Sequence, residues 1–428
     1  MEHPVFPAVR IPHLAEAELP LVHRVKLEQP TAPAIDDIEA AVHEALAGSA
    51  EIAALKPGSA VAIGVGSRGV ADLPRLVGAT VTYLKNQNLA PFIVPAMGSH
   101  GGATAEGQAL VLSRLGIDEA RVGAPVRASM ETVELGRTKG GLPCRFDANA
   151  AAADAIVVIA RVKPHTSFDR PIESGLCKIL AVGLGKEAGA RNVHRLGPRG
   201  FTETIPELAS IALARAPIAC GLAVVENATH RLVTIEAVAP GGFVATDERL
   251  LKRAKSLMAR LPFRLVDALL VEELGKEISG SGMDYAVTGR TDIRGIANPD
   301  HILVNKLAVL RLTEATHGNA IGVGIADYMP RESANQVDLV AMYQNAITAA
   351  IGEKARLPIV LPTERETVQA LVMTSWADDR AGCRYCQIRN TLTLDEVLVS
   401  APLLAELGQD AKAEKLRFDE AGRLLTLV

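Results

Sequence analysis

A rhythm recurs through this chain: a short apolar run, a glycine-rich polar loop, then a stretch with helical spacing. Ala60-Val-Ala-Ile-Gly-Val65 leads into Gly66-Ser-Arg-Gly69 and then a helix from about Leu73 to Lys85. Pro91-Phe-Ile-Val-Pro95 leads into Gly98-Ser-His-Gly-Gly102, and a helix opens near Thr104 with Glu106 in its first turn. A third run, Ala155-Ile-Val-Val-Ile-Ala160, precedes a segment rich in reactive side chains. Short apolar runs bounded by turn residues read as buried strands. Strand, loop and returning helix build right-handed parallel units. The expected class is therefore α/β: two α/β domains with mainly parallel sheets and an active-site cleft between them.

The remaining segments follow the same logic. Residues 1–35 form a proline-rich lead-in with one edge strand, and Asp36–Leu55 reads as one helix capped by Asp36. Val122–Arg145 is a β-rich insertion turning at Gly140-Gly-Leu-Pro143. A helix over Thr204–Ala214, a strand over Cys220–Val225 and a loop at Pro240-Gly-Gly242 come next. Asp247–Arg260 is a basic amphipathic helix whose charges read as a solvated face. A boundary near Leu261-Pro262 gives an N-terminal catalytic and cofactor-binding domain over 1–262 and a C-terminal α/β domain over 263–428. In the latter, Leu265–Val271, Ile302–Ala308, Ala320–Ile325 and Ile359–Leu361 read as strands and Val337–Ile351 as a helix. The tail from Leu394 reads as two short charged helical segments and a final Leu424–Val428, able to return to either domain's sheet.

Charge narrows the function classes. With 45 basic and 49 acidic residues the net charge is -4, which argues against nucleic acid or a membrane surface as partner. Five cysteines, an odd number scattered over 428 residues, fit a reduced intracellular chain better than a disulfide framework. The N-terminus has no basic-then-apolar leader and no run reaches the length of a membrane span, so a cytoplasmic location is expected.

The candidate chemistry lies just past the apolar runs, where an open α/β sheet places its ligands. His100 stands between Ser99 and Gly101, whose small size leaves the imidazole uncovered; an imidazole takes and returns a proton near neutral pH. His165 follows Lys163-Pro164, where proline restricts the backbone as the chain leaves its strand. Lys178, in Gly175-Leu-Cys-Lys-Ile-Leu-Ala-Val182, either snorkels or sits in an apolar pocket that would make its amine a nucleophile. His194 is a candidate ligand for a borderline metal. The loops carrying Ser67, Gly98, Ser99 and Gly101 have the composition of phosphate cradles, which tight turns share. Arg68 and Lys276, on glycine-rich loops, suit a substrate carboxylate. Cys383-Arg-Tyr-Cys386 is a lone CxxC with no second pair at zinc spacing, a weak signal.

Taken together, the Arg68 loop, Gly98-Ser-His100, Pro164-His165, Ser174-Gly-Leu-Cys-Lys178 and His194, sixteen positions after the lysine, resemble the lactate racemase family of nickel-pincer enzymes. The resemblance spans most of the chain. It implies a nickel-pincer nucleotide, a pyridinium-3,5-bisthiocarboxylic acid mononucleotide holding nickel, covalently attached to Lys178, with His194 as nickel ligand. It further implies His100 and His165 as paired acid/base residues, Arg68 holding substrate or cofactor, and Lys276 on the substrate side. The implied reaction is inversion of the C2 centre of a 2-hydroxy acid, with hydride passing to the cofactor and back; the protein positions and the cofactor reacts. The implied partners are the small-molecule hydroxy acid and the cofactor-synthesis enzymes, with a homo-oligomer allowed. Three departures bear on substrate choice: a longer stretch from His165 to Lys178, glycines after His100, and Val65-Gly66 where the family places an acidic residue. A dicarboxylate or sugar acid is as compatible as lactate.

Two rivals remain open on sequence. A dehydrogenase with dissociable NAD lacks support because no GxGxxG follows an early strand. A non-catalytic ligand-binding homologue would not need a tether lysine together with two bases.

Overall fold

The computed structural model describes residues 3–67, 70–167, 169–197, 200–379 and 381–428. The chain forms two compact units, an N-terminal one of residues 30–165 and 169–258 and a C-terminal one that includes residues 3–29, 166–167 and 259–428. The sequence places the division at 262 and assigns residues 1–29 to the first domain. However, β1 (Leu21–Lys26) pairs antiparallel with two strands from the far end of the chain, which explains its membership of the C-terminal unit.

In the N-terminal unit, β2 (Ala60–Val65), β3 (Ala90–Pro95), a hairpin of β4 (Thr132–Arg137) and β5 (Pro143–Asp147), β6 (Ala155–Arg161), β7 (Ile218–Glu226) and β8 (Leu232–Val238) follow in order. The main sheet runs β3-β2-β6-β7-β8, all parallel except β8. The chain moves from β2 to β3 on one side, then crosses to β6 on the other. The order therefore reverses at β2/β6, the place where α/β sheets open a crevice beyond the carboxyl ends of their strands.

Helices cover this sheet with apolar stripes. α1 (Ile38–Ala47) is capped by Asp37, one residue later than the sequence indicates, and Gly48-Ser49 ends it, so Asp36–Leu55 is not one helix. α2 (Leu73–Asn86) buries Leu73, Leu76, Val77, Val81 and Leu84 at helical spacing. Each such burial contributes about 1.5–3 kcal/mol, so Leu76→Asp would detach this helix. α3 (Ala105–Arg114) starts at Thr104, whose hydroxyl accepts from Gly107 N–H. α4 (Leu176–Lys178), a π-turn over Ile179–Gly183 and α5 (Lys186–His194) run on from one another. α6 (Ile205–Arg215) and α7 (Phe243–Ser256) complete the layer.

The C-terminal unit carries β9 (Leu265–Leu274), β10 (Leu303–Leu312), β11 (Tyr328–Pro330), β12 (Ile359–Leu361), β13 (Tyr385–Ile388), β14 (Glu396–Val399) and β15 (Ala413–Lys415). Its sheet order is β12-β11-β10-β9-β13-β14-β1-β15. β9 to β13 are parallel, and β14, β1 and β15 extend the sheet antiparallel. Ala320–Ile325, read as a strand, instead ends in a short 3-10 turn at Val323–Ile325, and the strand follows at β11. The tail contributes two strands around one helix, Ala401–Leu407, and stays with its own unit's sheet. Among the described residues no helix is long and apolar enough to cross a membrane.

Candidate active site

The reactive side chains of the N-terminal unit stand on segments leaving the carboxyl ends of β2, β3 and β6, at the reversal of strand order. Ser67 follows β2, and its hydroxyl bonds His100 Nδ1 on the loop after β3. The His100 side chain does not cap the turn that follows. Arg68 lies outside the described residues.

Close backbone approach draws these loops onto the Lys178 segment. Gly98, at φ +61°, donates from its N–H to Gly183 O at 3.0 Å, and a Cβ on it would lie 3.4 Å from Val182 O. A Cβ on Gly183 would come within 2.6 Å of Ala96 O, so a side chain at that position would push the two segments apart. Gly66 sits against Ile179. The β2 and β3 loops thus rest on the π-turn that directly follows Lys178. A π-turn is uncommon and recurs at functional sites; the apolar Ile179–Val182 run gives no sign of it in sequence.

His165 is half-buried, and its backbone N–H donates to the carboxylate of Glu173, which is 3 % exposed. Glu173 also accepts from Arg170 N–H at 2.8 Å and pairs with Lys255 at 2.6 Å. Removal from water pushes the Glu173 carboxyl up against these donors. The loop after His165 is therefore closed on itself by one buried acid.

Lys178 and His194 sit at the two ends of the α4–π-turn–α5 segment and feel each other. Removal from water, then the Lys178 charge, holds His194 down to about 4. Its imidazole is thus neutral at pH 7. Asp247, 1 % exposed, accepts from Leu176 N–H at 2.9 Å and Cys177 N–H at 2.8 Å and so fixes the start of this segment. Burial raises the Asp247 carboxyl. A Cβ on Gly175 would lie 2.3 Å from Asp247 Oδ1, so only glycine fits there. This corrects the expectation of a solvated face on α7: the helix begins at Phe243 and turns Asp247 inward.

Lys276 lies in the C-terminal unit, exposed after β9, with its amine on Asn345 and its N–H on Thr316 Oγ1 at 3.3 Å. Cys383 and Cys386 are buried thiols of the same unit, Cys383 donating to Ser375 Oγ at 3.6 Å. Among the described residues no three His, Cys, Asp or Glu side chains gather as a metal cage.

Sequence reasoning missed Glu173, Asp247, Lys186 and Gln108. Asp247 meets its partner amide across 71 positions, and no local spacing encodes that.

No protein-family model matches the chain, and no curated protein matches it. Among solved structures, it is similar to a Thermotoga maritima protein described by its source alone, with TM-score 0.48 and 13% identity over 83% of this chain and 87% of that one. It is also similar to the lactate racemase apoprotein from Thermoanaerobacterium thermosaccharolyticum, with TM-score 0.45 and 12% identity over 90% of this chain and 86% of that one. The functional reading rests on the placement of the residues themselves.

Proposed function

We propose that this protein inverts the C2 centre of a 2-hydroxy acid, using a nickel-pincer nucleotide tethered to Lys178. One juxtaposition carries the reading. Lys178 and His194 lie close enough for the charge of one to depress the other, on a segment that packs directly against the His100 loop.

The donor set fits such a group. A neutral imidazole is the form that ligates a borderline metal, and His194 is neutral well below pH 7. His194 would be the chain's ligand to such a metal, with further donors supplied by the organic group. When bound, that group would accept and return the hydride, which no side chain can do.

The chain's own part is proton handling and orientation. A hydroxyl both donates and accepts, so Ser67 can stabilise either tautomer of His100. With Nδ1–H donating to the Ser67 oxygen, Nε2 of the neutral ring takes a proton as a base, and the imidazolium so formed, still donating from Nδ1, returns it from Nε2 as an acid. A residue serving both directions of an inversion needs both states. His165, set by Glu173, is assigned the same task for the other enantiomer. Arg68 is assigned the substrate carboxylate. The substrate class is a 2-hydroxy acid: lactate, a dicarboxylate or a sugar acid.

The test is a racemisation panel on protein produced alongside the cofactor-synthesis enzymes. Inversion of at least one hydroxy acid, lost in Lys178→Ala, is expected. Oxidation of a hydroxy acid dependent on added NAD, with no inversion, would overturn the proposal.

A further inference from the structure

Lys186 is fully buried and opens α5 in the left-handed region at φ +53°. Its ammonium lies 2.9 Å from Asp147, 2.6 Å from Pro95 O and 3.2 Å from Gln108 Oε1. Asp147 and Gln108 are 0 % exposed as well. A buried ion pair is a weak source of stability, since an apolar pair of similar volume often does as well or better. A left-handed non-glycine residue adds backbone strain. Stability alone therefore does not account for this arrangement.

Gln108 supplies the account. Its Nε2 donates to Gly98 O at 2.8 Å and to His100 O at 3.3 Å, the carbonyls on either side of Ser99. Asp147 is tied to the same region, its N–H donating to Leu184 O at 2.7 Å. A chain of buried polar groups thus runs from the first residue of α5, whose last residue is His194, to the backbone of His100.

We propose that Lys186 and Gln108 are positioning residues that hold the His100 loop in register against the helix carrying His194. The proposal rests on reading His100 as an acid/base group. Burial works against the Lys186 ammonium and Asp147 supports it, but the role assigned is geometric.

Two variants test it. Gln108→Glu keeps an acceptor for Lys186 but replaces the amide donor that faces two carbonyls. Lys186→Met with Asp147→Asn removes both charges, and the asparagine retains an oxygen to cap Ala150 N–H. In unloaded protein, each should speed amide exchange over residues 98–103 by about tenfold, the loss of roughly one buried hydrogen bond, with β2 and α2 unchanged. In loaded protein, kcat should fall by about tenfold or more with KM within about twofold, the sign of lost orientation and not lost binding. Unchanged exchange over 98–103 in folded variants would overturn the proposal, as would exchange raised equally across the unit. If the loop loosens but loaded wild-type protein inverts no hydroxy acid, the functional reading fails and the positioning role stands.

Discussion

The two units share an architecture of parallel strands under helices, yet they place their buried polar groups differently. In the N-terminal unit such groups act on loops at the carboxyl edge of the sheet. Glu173 holds His165 N–H, Asp247 holds the start of the Lys178 segment, Gln108 holds the His100 loop, and Glu226 holds Ala71 N–H at 2.8 Å after the Ser67 loop. In the C-terminal unit they fasten chain segments together. Arg311 and Glu364 clamp Leu424 of the tail, Glu272 accepts from Gln387 and Val428, and Lys354 joins Asp292 to Ser167. A buried polar group costs stability unless fully bonded. The difference teaches where geometry matters: at loop edges in one unit, along the chain's closure in the other.

This contrast can be broken by substitution. Deleting a polar group in the N-terminal unit should cost activity, with a loss of stability beside it where a buried ion pair is broken, and deleting one in the C-terminal unit should cost stability alone. The largest effect is expected for Lys178→Ala, which removes the proposed tether. Turnover by the variant produced alongside the cofactor-synthesis enzymes should fall to the background of protein without cofactor, because the covalent attachment is lost, as read by a chiral assay. His100→Ala and His165→Ala should each lower kcat/KM by about 10²–10⁴-fold. For an enantiomeric pair the equilibrium constant is one, so each loss must be equal in both directions; a loss in one direction alone would show that the measured step is not the inversion.

Arg311→Met tests the other side. It leaves Glu364 buried without its bidentate partner, and such a break costs about 3–5 kcal/mol. Thermal unfolding should shift down by several degrees while kcat/KM stays within about twofold. A fall in activity with unchanged stability would reverse the comparison. Glu226→Gln gives the smallest effect, and it depends on pH. Burial pushes the Glu226 carboxyl up, but His230, Arg161 and Ala71 N–H pull it further, to about 2. A depressed folded value stabilises fully above the unfolded value near 4.5 and is lost as pH falls through about 2. The variant should therefore be about 3 kcal/mol less stable at pH 7, with the gap closing toward pH 2. A gap that persists at pH 2 would contradict the assignment.

Much of this was legible in sequence because buried parallel strands are uninterrupted apolar runs, and their ends mark themselves with glycine and polar residues. That is how Val65, Pro95 and Ala160 point to Ser67, His100 and His165. What was not legible depends on distant partners. β1 meets β14 across more than three hundred positions, as the 372-residue separation of Arg24 and Glu396 illustrates. Lys186 looks like any lysine that would keep its amine in water, and only the fold puts Asp147 and Gln108 around it. The polar face of α7 hides Asp247 because an amphipathic pattern does not say which charge turns inward.

The central claim is that Lys178 and His194 together hold a nickel-bearing organic group. The most direct measurement is intact mass, peptide mapping and nickel content of the chain produced with the cofactor-synthesis enzymes. The account predicts added mass on the peptide containing Lys178 and about one nickel per chain, the single ligand His194 being one donor of a cofactor-carried metal, with nickel reduced in His194→Ala. An unmodified Lys178 and no nickel under those conditions would contradict it.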